Sequence, residues 1–449
     1  MKISKLIIRK LHNEFDYSVN FNDDITFLYG ENGCGKTTIL TIISDIITGK
    51  IYKLFDIEFK YIRLIFSENN YIHIVKGIEK LDISLNIYGR IEKSIVKNMT
   101  SFYIMDGDRT DSEITIRYMK DNSILRNITN LFEQEFLPIR RSITLDDSVK
   151  VNIFGGVDVY RRIQYKRTDD TKIEDIVMSQ VNGLIRDKYN QINTSIKEID
   201  ETFKVNVLKS FSEIYKLSSP DELFNKLVHG NDGFVDTVSE IRAEYYKILE
   251  NLNLSLSIDL RAYYEFFEEF SNDIIKFKNN KYVGRDDGRL TNLLLKYQEL
   301  KRLDEIIGLS NDAEKEKKRV SKPLDQFLNV VNDFMATANV NKKIVINREG
   351  EAVVDVGYGK SKRTIPLAKL SSGEKQIIIF FAHLILKFDS ARESIFIIDE
   401  PEMSLHPYWQ KIFVDKLVEV NSNMQLIFAT HSPEIIGRRR DRMVKLIRQ

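Results

Sequence analysis

The chain has 449 residues, of which 67 are basic and 66 acidic, leaving a formal net charge of +1 and 43% hydrophobic content. Such balance excludes a chain-wide basic field for nucleic acid or an anionic membrane, so any such surface must be local, and the apolar fraction excludes a disordered chain. The single cysteine, Cys34, excludes a disulfide within the chain and a thiolate metal cage.

A chain of this length would hold about two or three domains. Met1 to Lys5 runs into an alternating strand instead of a signal peptide. No apolar run approaches the roughly 20 residues that span a bilayer, so the expectation is a soluble, cytoplasmic protein without a membrane partner. In chain order, residues 1–170 read mainly as strands with one helix. Lys2 to Ile8 and Tyr17 to Phe21 come first, and Ile62 to Phe66, Tyr71 to Val75 and Leu81 to Tyr88 form a small antiparallel sheet.

Between them stands Ile25-Thr26-Phe27-Leu28-Tyr29-Gly30-Glu31-Asn32-Gly33-Cys34-Gly35-Lys36-Thr37-Thr38, a β-prone run, three glycines and the opening of a helix. Successive backbone N–H groups at a helix N-terminus cradle oxyanions, and side chains at Gly30, Gly33 and Gly35 would obstruct that approach. Lys36 then reaches the β and γ phosphates and the Thr37 hydroxyl ligates Mg²⁺. Ile39, Leu40, Ile42, Ile43, Ile46 and Ile47 recur at helical spacing until Gly49 stops the run. The pattern is that of a nucleotide-binding phosphate loop.

Over residues 171–338 the pattern turns helical. Ile185, Tyr189, Ile192, Ile196, Ile199 and Phe203 form a heptad seam, and Leu293, Tyr297, Leu300 and Ile307 a weaker one, with the aromatic stretch Tyr263 to Phe270 between them. Two readings remain open: a short coiled-coil-like insertion that pairs with itself or another subunit, or ordinary bundle core. A seam-bearing helix of about 35 residues spans only about 50 Å, a strut and not a long arm. Residues 339–449 return to strands, with a hairpin from Ile344 to Val356 leading through Ile365-Pro366-Leu367 into a second group of motifs.

That group begins at Leu370-Ser371-Ser372-Gly373-Glu374-Lys375-Gln376, a Ser and a Gly opening an apolar helix. The apolar run Ser394-Ile395-Phe396-Ile397-Ile398-Asp399-Glu400-Pro401 follows, and a buried parallel strand delivers its last residues to the ligand edge of an α/β sheet. Asp399 there supports Mg²⁺, and Glu400 orients and deprotonates an attacking water. One helix later, Gln425 to Thr430 ends at His431, placed to reach a γ-phosphate from the neighbouring strand.

In this order, the four stretches resemble the Walker A, signature, Walker B and switch-histidine motifs of ABC-type ATPases. Asp399-Glu400-Pro401-Glu402-Met403-Ser404-Leu405-His406-Pro407 resembles the extended acidic motif of the RecF and OLD group within the SMC-like heads. More narrowly, Leu28 to Lys53, Val159 to Ile163 and the signature-to-histidine block resemble the ATPases of anti-phage defence operons: the AriA family of PARIS and, less closely, the PtuA family of Septu. The resemblance implies a bilobed α/β ATPase head with an inserted helical domain: lobe I over 1–170, the insertion over 171–338 and lobe II over 339–449. It implies ATP and Mg²⁺ as cofactors, the nucleotide resting on Gly30, Asn32, Gly33, Cys34, Gly35, Lys36, Thr37 and Thr38. Ser371 and Gly373 of a second copy would close the site, so the protein is expected as a homo-oligomer of ATP-sandwiched dimers.

Glu400 is the implied base, His431 the γ-phosphate sensor, and Thr37, Asp399 and Gln164 the implied metal shell. Ser372 stands where the signature has its first glycine, Glu374 where transporters have glutamine, and His406 replaces an aspartate. The expected function is an ATPase scaffold that senses a phage trigger protein and releases a separately encoded effector of the TOPRIM nuclease class. With the chain closing at Gln449 soon after His431, no nuclease domain is expected within it. The alternative is a RecF- or SMC-like ATPase of DNA repair, and a transporter motor is disfavoured. The basic runs Arg161-Arg162, Lys166-Arg167 and Arg438-Arg439-Arg440 with Arg442, Lys445 and Arg448 offer DNA, RNA or an acidic protein as partner, or a solvated surface.

Overall fold

The computed structural model describes residues 1–31, 33–98, 111–132, 136–139, 170–212, 234–251, 260–278, 287–336, 341–357, 359, 362–387, 394–421 and 423–448. These form two compact units, one of residues 1–188 with 323–449 and one of residues 189–322.

In the first unit, β1 (Ile3–Leu11) and β2 (Phe15–Asn20) make a hairpin, followed by β3 (Ile25–Tyr29) and α1 (Lys36–Ile47). Then come β4 (Tyr61–Phe66), β5 (Tyr71–Lys76), β6 (Lys80–Ile87) and β7 (Arg90–Lys97). Except for β3, these strands form one antiparallel sheet of six in the order β2-β1-β4-β5-β6-β7. Period-two alternation puts Ile62, Leu64, Ile72, Ile74, Leu81, Ile83 and Leu85 on one face. There they share a core with Ile39, Ile42, Ile43 and Ile46 of α1.

Two further helices, α2 (Asp111–Asp121) and α3 (Ser123–Phe132), correct the expectation of a single helix in the first 170 residues. Their buried marks, Tyr118, Ile124, Leu125 and Ile128, are divided between two short helices by Asn122, so no continuous period shows. The short strand β8 (Phe136–Ile139) follows.

Helices α4 (Asp170–Ser212), α5 (Phe234–Asn251), α6 (Leu260–Lys278) and α7 (Asp287–Met335) come next, and α4 and α7 each run across the division between units. At 43 and 49 residues they exceed the expected length of about 35. In the second unit, Leu293, Tyr297, Leu300 and Ile307 pack with Val238, Ile241, Ile248, Phe267, Phe270 and Ile274. The weaker seam is therefore bundle core. Of the α4 seam, Ile185 and Ile192 are buried and Tyr189, Ile196, Ile199 and Phe203 half-buried, and Asp200 pairs with Lys317 at 2.7 Å.

The chain re-enters the first unit at Pro323, which stands inside α7 where its ring removes a helical hydrogen bond. A three-stranded sheet of β9 (Lys342–Ile346), β10 (Ala352–Val356) and β11 (Arg363–Pro366) precedes α8 (Ser372–Ala382). The remaining elements are β12 (Ser394–Asp399), α9 (Pro407–Val420), β13 (Met424–Ala429), α10 (Pro433–Ile436) and β14 (Met443–Lys445).

Strands from both ends of the chain merge into a third sheet, ordered β14-β3-β13-β12-β8, with every pairing parallel. Its central strands are continuous apolar runs because both faces are covered; all six residues of β13 are buried. An aromatic cluster seats α8 and α9 on β12: Phe380 lies 5.1 Å from Phe396 and 4.9 Å from Phe413, ring centre to ring centre. The first unit is thus an α/β architecture, with a helical segment inserted between the two stretches of its sequence. No helix among the described residues is long and apolar enough to cross a membrane.

Candidate functional site

Parallel register brings the motifs to one edge. Leu28 of β3 pairs with Ala429 of β13, and Ala429 with Asp399 of β12, so three strands end in one row. From that row the phosphate loop leaves β3, Thr430-His431 leaves β13 and Glu400 leaves β12. The Glu400 N–H donates to the Ala429 carbonyl at 2.8 Å, tying the last two exits together.

The loop has the backbone its glycines predict. Gly33 and Gly35 have φ of 78° and 92°, in the left-handed region where a side chain is strained. A Cβ on Gly30 would stand 2.7 Å from Cys34 Sγ, and one on Gly35 3.0 Å from the Tyr17 hydroxyl. Tyr17, 2% exposed, donates that hydroxyl to the Cys34 carbonyl at 2.9 Å and fixes the loop from the β2 side. Lys36 donates to the carbonyls of Gly30 at 3.0 Å and Glu31 at 3.3 Å, so its ammonium is held within the loop. Among the described residues no side chain caps α1 and no acidic residue occupies its first turn. Its N-terminal field is left for an anion.

Asp399, 6% exposed, ends β12. Glu400 follows with φ 48° and ψ 58°, a left-handed conformation before Pro401 that costs a glutamate about 1–2 kcal/mol. Such strain concentrates at functional positions. The 3₁₀ turn Pro401–Ser404 then brings Glu402 across to β13's exit. Glu402 accepts from the Thr430 hydroxyl at 2.9 Å and from the His431 N–H at 2.8 Å. His431 is exposed, and Thr430 is fully buried. Among the described residues no group of three or more His, Cys, Asp or Glu could cage a metal; oxygen groups of the hard kind that Mg²⁺ takes are the Thr37 hydroxyl in the first turn of α1 and the Asp399 carboxylate at the end of β12.

At the start of α8, Ser371 and Glu374 form a reciprocal capping box. Ser371 donates its N–H to Glu374 at 2.8 Å and its hydroxyl at 2.9 Å, and Lys342 of β9 reaches the other carboxylate oxygen at 2.7 Å. Burial works against the ionised form of Glu374, but the bonds from Lys342 and Ser371 outweigh it and hold the carboxyl below its ordinary value. Ser371 and Ser372 are exposed, and Gly373 is buried. His406 caps α9 by accepting from the Tyr408 N–H at 3.3 Å.

Asn32, Gln164, Val159 to Ile163, Arg161-Arg162 and Lys166-Arg167 lie outside the described residues. Much of the arginine tail is engaged within the chain. Arg439 pairs with Asp415 at 2.5 Å and Arg442 with Asp24 at 2.9 Å. Arg448 lies over the Phe15 ring at 4.4 Å and donates to the Gly33 carbonyl. Sequence reasoning gave no site role to Tyr17 or Glu402, and read Arg448 as part of a partner surface and not as a contact of the loop. Glu402 stood inside a motif already singled out; Tyr17 and Arg448 carried no local signal.

The family described as AAA ATPase domain matches residues 1–436. Among curated proteins, "Retron Vc95 probable ATPase" of Vibrio cholerae serotype O1 biovar El Tor is 22% identical over 42% of this chain and 38% of its own. "Endonuclease GajA" of Bacillus cereus (strain HuB5-5) is 24% identical over 60% of this chain and 40% of its own. The chain thus spans about 40% of the length of these relatives. Among solved structures, the Smc head domain with an extended coiled coil bound to the C-terminal domain of ScpA, from Pyrococcus furiosus, aligns over 97% of this chain and 91% of that one. Its identity is 15% and its TM-score 0.38.

Proposed function

The chain belongs to the AAA ATPase domain family, and on that premise we propose that it hydrolyses ATP as the sensing scaffold of an anti-phage defence system. The observation that carries the catalytic part is the row Leu28, Ala429, Asp399, from which the phosphate loop, His431 and Glu400 all depart.

In this reading the loop amides, the α1 N-terminus and Lys36 take the phosphates of ATP. Thr37 and Asp399 would hold Mg²⁺, which when bound neutralises phosphate charge. Glu400 takes the proton of the attacking water and His431 meets the γ-phosphate. Ser371 and Gly373 of a second copy complete the site, so ATP closes two heads and hydrolysis parts them.

The defence role draws on the resemblance of the sequence to defence-operon ATPases and on relatives named as a retron ATPase and as GajA. The scaffold holds an effector, proposed as a nuclease of the TOPRIM class, until a phage protein is sensed. Steady-state ATPase rates of the purified chain, with and without duplex DNA near physiological salt, test it. A basal rate indifferent to DNA fits a scaffold that waits for a protein signal. Strong stimulation by DNA replaces it with a DNA-clamping ATPase of repair.

A further inference from the structure

We propose that Glu402 is a positioning residue for His431, so that one acidic turn sets both the base that acts on water and the group that meets the γ-phosphate. The inference rests on the reading of Glu400 as base and His431 as sensor. Glu402 follows Glu400 by two residues, and the turn between them is short and proline-led. Its carboxylate takes the His431 N–H with one oxygen and the Thr430 hydroxyl with the other, at 2.8 and 2.9 Å.

The arrangement closes on itself. Thr430 Oγ1 accepts from the Ser432 N–H at 3.0 Å, and the Ser432 hydroxyl donates to Gln410 Oε1 at 2.6 Å. Gln410 Nε2 in turn donates to the carbonyls of Glu402 at 3.2 Å and Leu405 at 2.8 Å. Carboxylate, hydroxyls and amide thus link the acidic turn, the switch loop and α9 in one ring. Capping explains only the Ser432 corner of the ring, since Ser432 caps α10 and His406 caps α9, and the Glu402 carboxylate caps neither helix. What the Glu402 carboxylate does alone is hold the backbone at His431, while the imidazole's residue stays exposed to meet a ligand. Displacing a reacting group by about 1 Å can cost about 100-fold in rate.

The test is a double-mutant cycle on the full chain with kcat and KM for MgATP as readouts. His431→Ala is expected to lower kcat about 100-fold. Glu402→Ala should lower kcat to within a few-fold of that level, with KM changed less than about threefold. The double variant should then be no slower than His431→Ala, because the carboxylate acts only through the histidine. Glu402→Gln keeps one acceptor and loses the other, so its kcat should fall between wild type and Glu402→Ala. Should Glu402→Ala fail to fold, Glu402→Gln and Thr430→Val, combined with His431→Ala, supply the same cycle. Multiplying losses in the double variant, or wild-type kcat in Glu402→Ala, overturns the positioning role while leaving the sensor reading intact. Wild-type kcat in His431→Ala removes the sensor reading itself, and the proposal with it.

Discussion

The side-chain amide of Gln425 grips the backbone of Ile3 in both directions. The Ile3 N–H donates to Gln425 Oε1 at 2.7 Å, and Gln425 Nε2 donates to the Ile3 carbonyl at 2.7 Å, across 422 residues of sequence. A further bond from Nε2 to the Asn22 carbonyl, at 2.8 Å, spends the amide fully. The parallel sheet is thereby stitched to the antiparallel one. Both residues are completely buried, so removing the amide strands groups that water cannot reach. Gln425→Leu, close in volume, is expected to lower unfolding free energy by about 3 kcal/mol. Urea unfolding measures it, and a loss under about 1 kcal/mol would mean that the stitch is dispensable.

Lys36 offers a direct test of the phosphate loop. It is 6% exposed and bonds only loop groups: the Gly30 and Glu31 carbonyls at 3.0 and 3.3 Å and Cys34 Sγ at 3.8 Å. Lys36→Ala should weaken binding of a fluorescent ATP analogue at least about 100-fold, since a buried charge-assisted contact to phosphate is lost. Thermal stability should change little, because the carbonyls that the ammonium serves belong to a half-buried Gly30 and an exposed Glu31, which water can reach. Unchanged nucleotide affinity would place the phosphates elsewhere.

The row of strand ends was legible because its strands carry the apolar runs Ile395 to Ile398 and Leu426 to Ala429, which stop at chemistry-bearing residues. The glycines of the loop were legible for the same kind of local reason, a positive φ that other residues resist. The two outer strands of that sheet were not. β8 carries Pro138, tolerated only at an edge, and β14 is three residues long. Neither offers a period to read. The Glu402 contacts join residues 28 apart or more through backbone N–H and hydroxyl groups, and such pairings leave no spacing signature.

Glu400→Gln separates the proposed base from the strain it sits in. The amide keeps the size and the left-handed backbone of Glu400, so stability should stay within about 0.5 kcal/mol of wild type. What it loses is the ability to take a proton from water. ATP should still bind, hydrolysis should fall at least about 100-fold, and ATP should leave the heads trapped as a dimer, visible by light scattering. A wild-type rate in this variant would mean that the base is another group.

Glu374 gives the chain a pH-sensitive contact at the start of α8, beside Ser371. Its carboxyl is held below its ordinary value, burial opposing ionisation and the bonds from Lys342 and Ser371 overcoming it. A carboxylate whose native pKa lies below its unfolded one contributes stability above the unfolded value, about 4.3, and loses it as pH falls through the native one. Glu374→Gln should therefore be less stable than wild type at pH 7, by about 2 kcal/mol for charge-assisted bonds to a group only 6% exposed. As pH falls below the unfolded value the gap should narrow, and it closes once the native carboxyl is itself protonated. Urea unfolding at pH 7 and at about pH 3.5 reads the gap. A gap that persists or widens on acidification would show that packing of Glu374 matters, and not its charge.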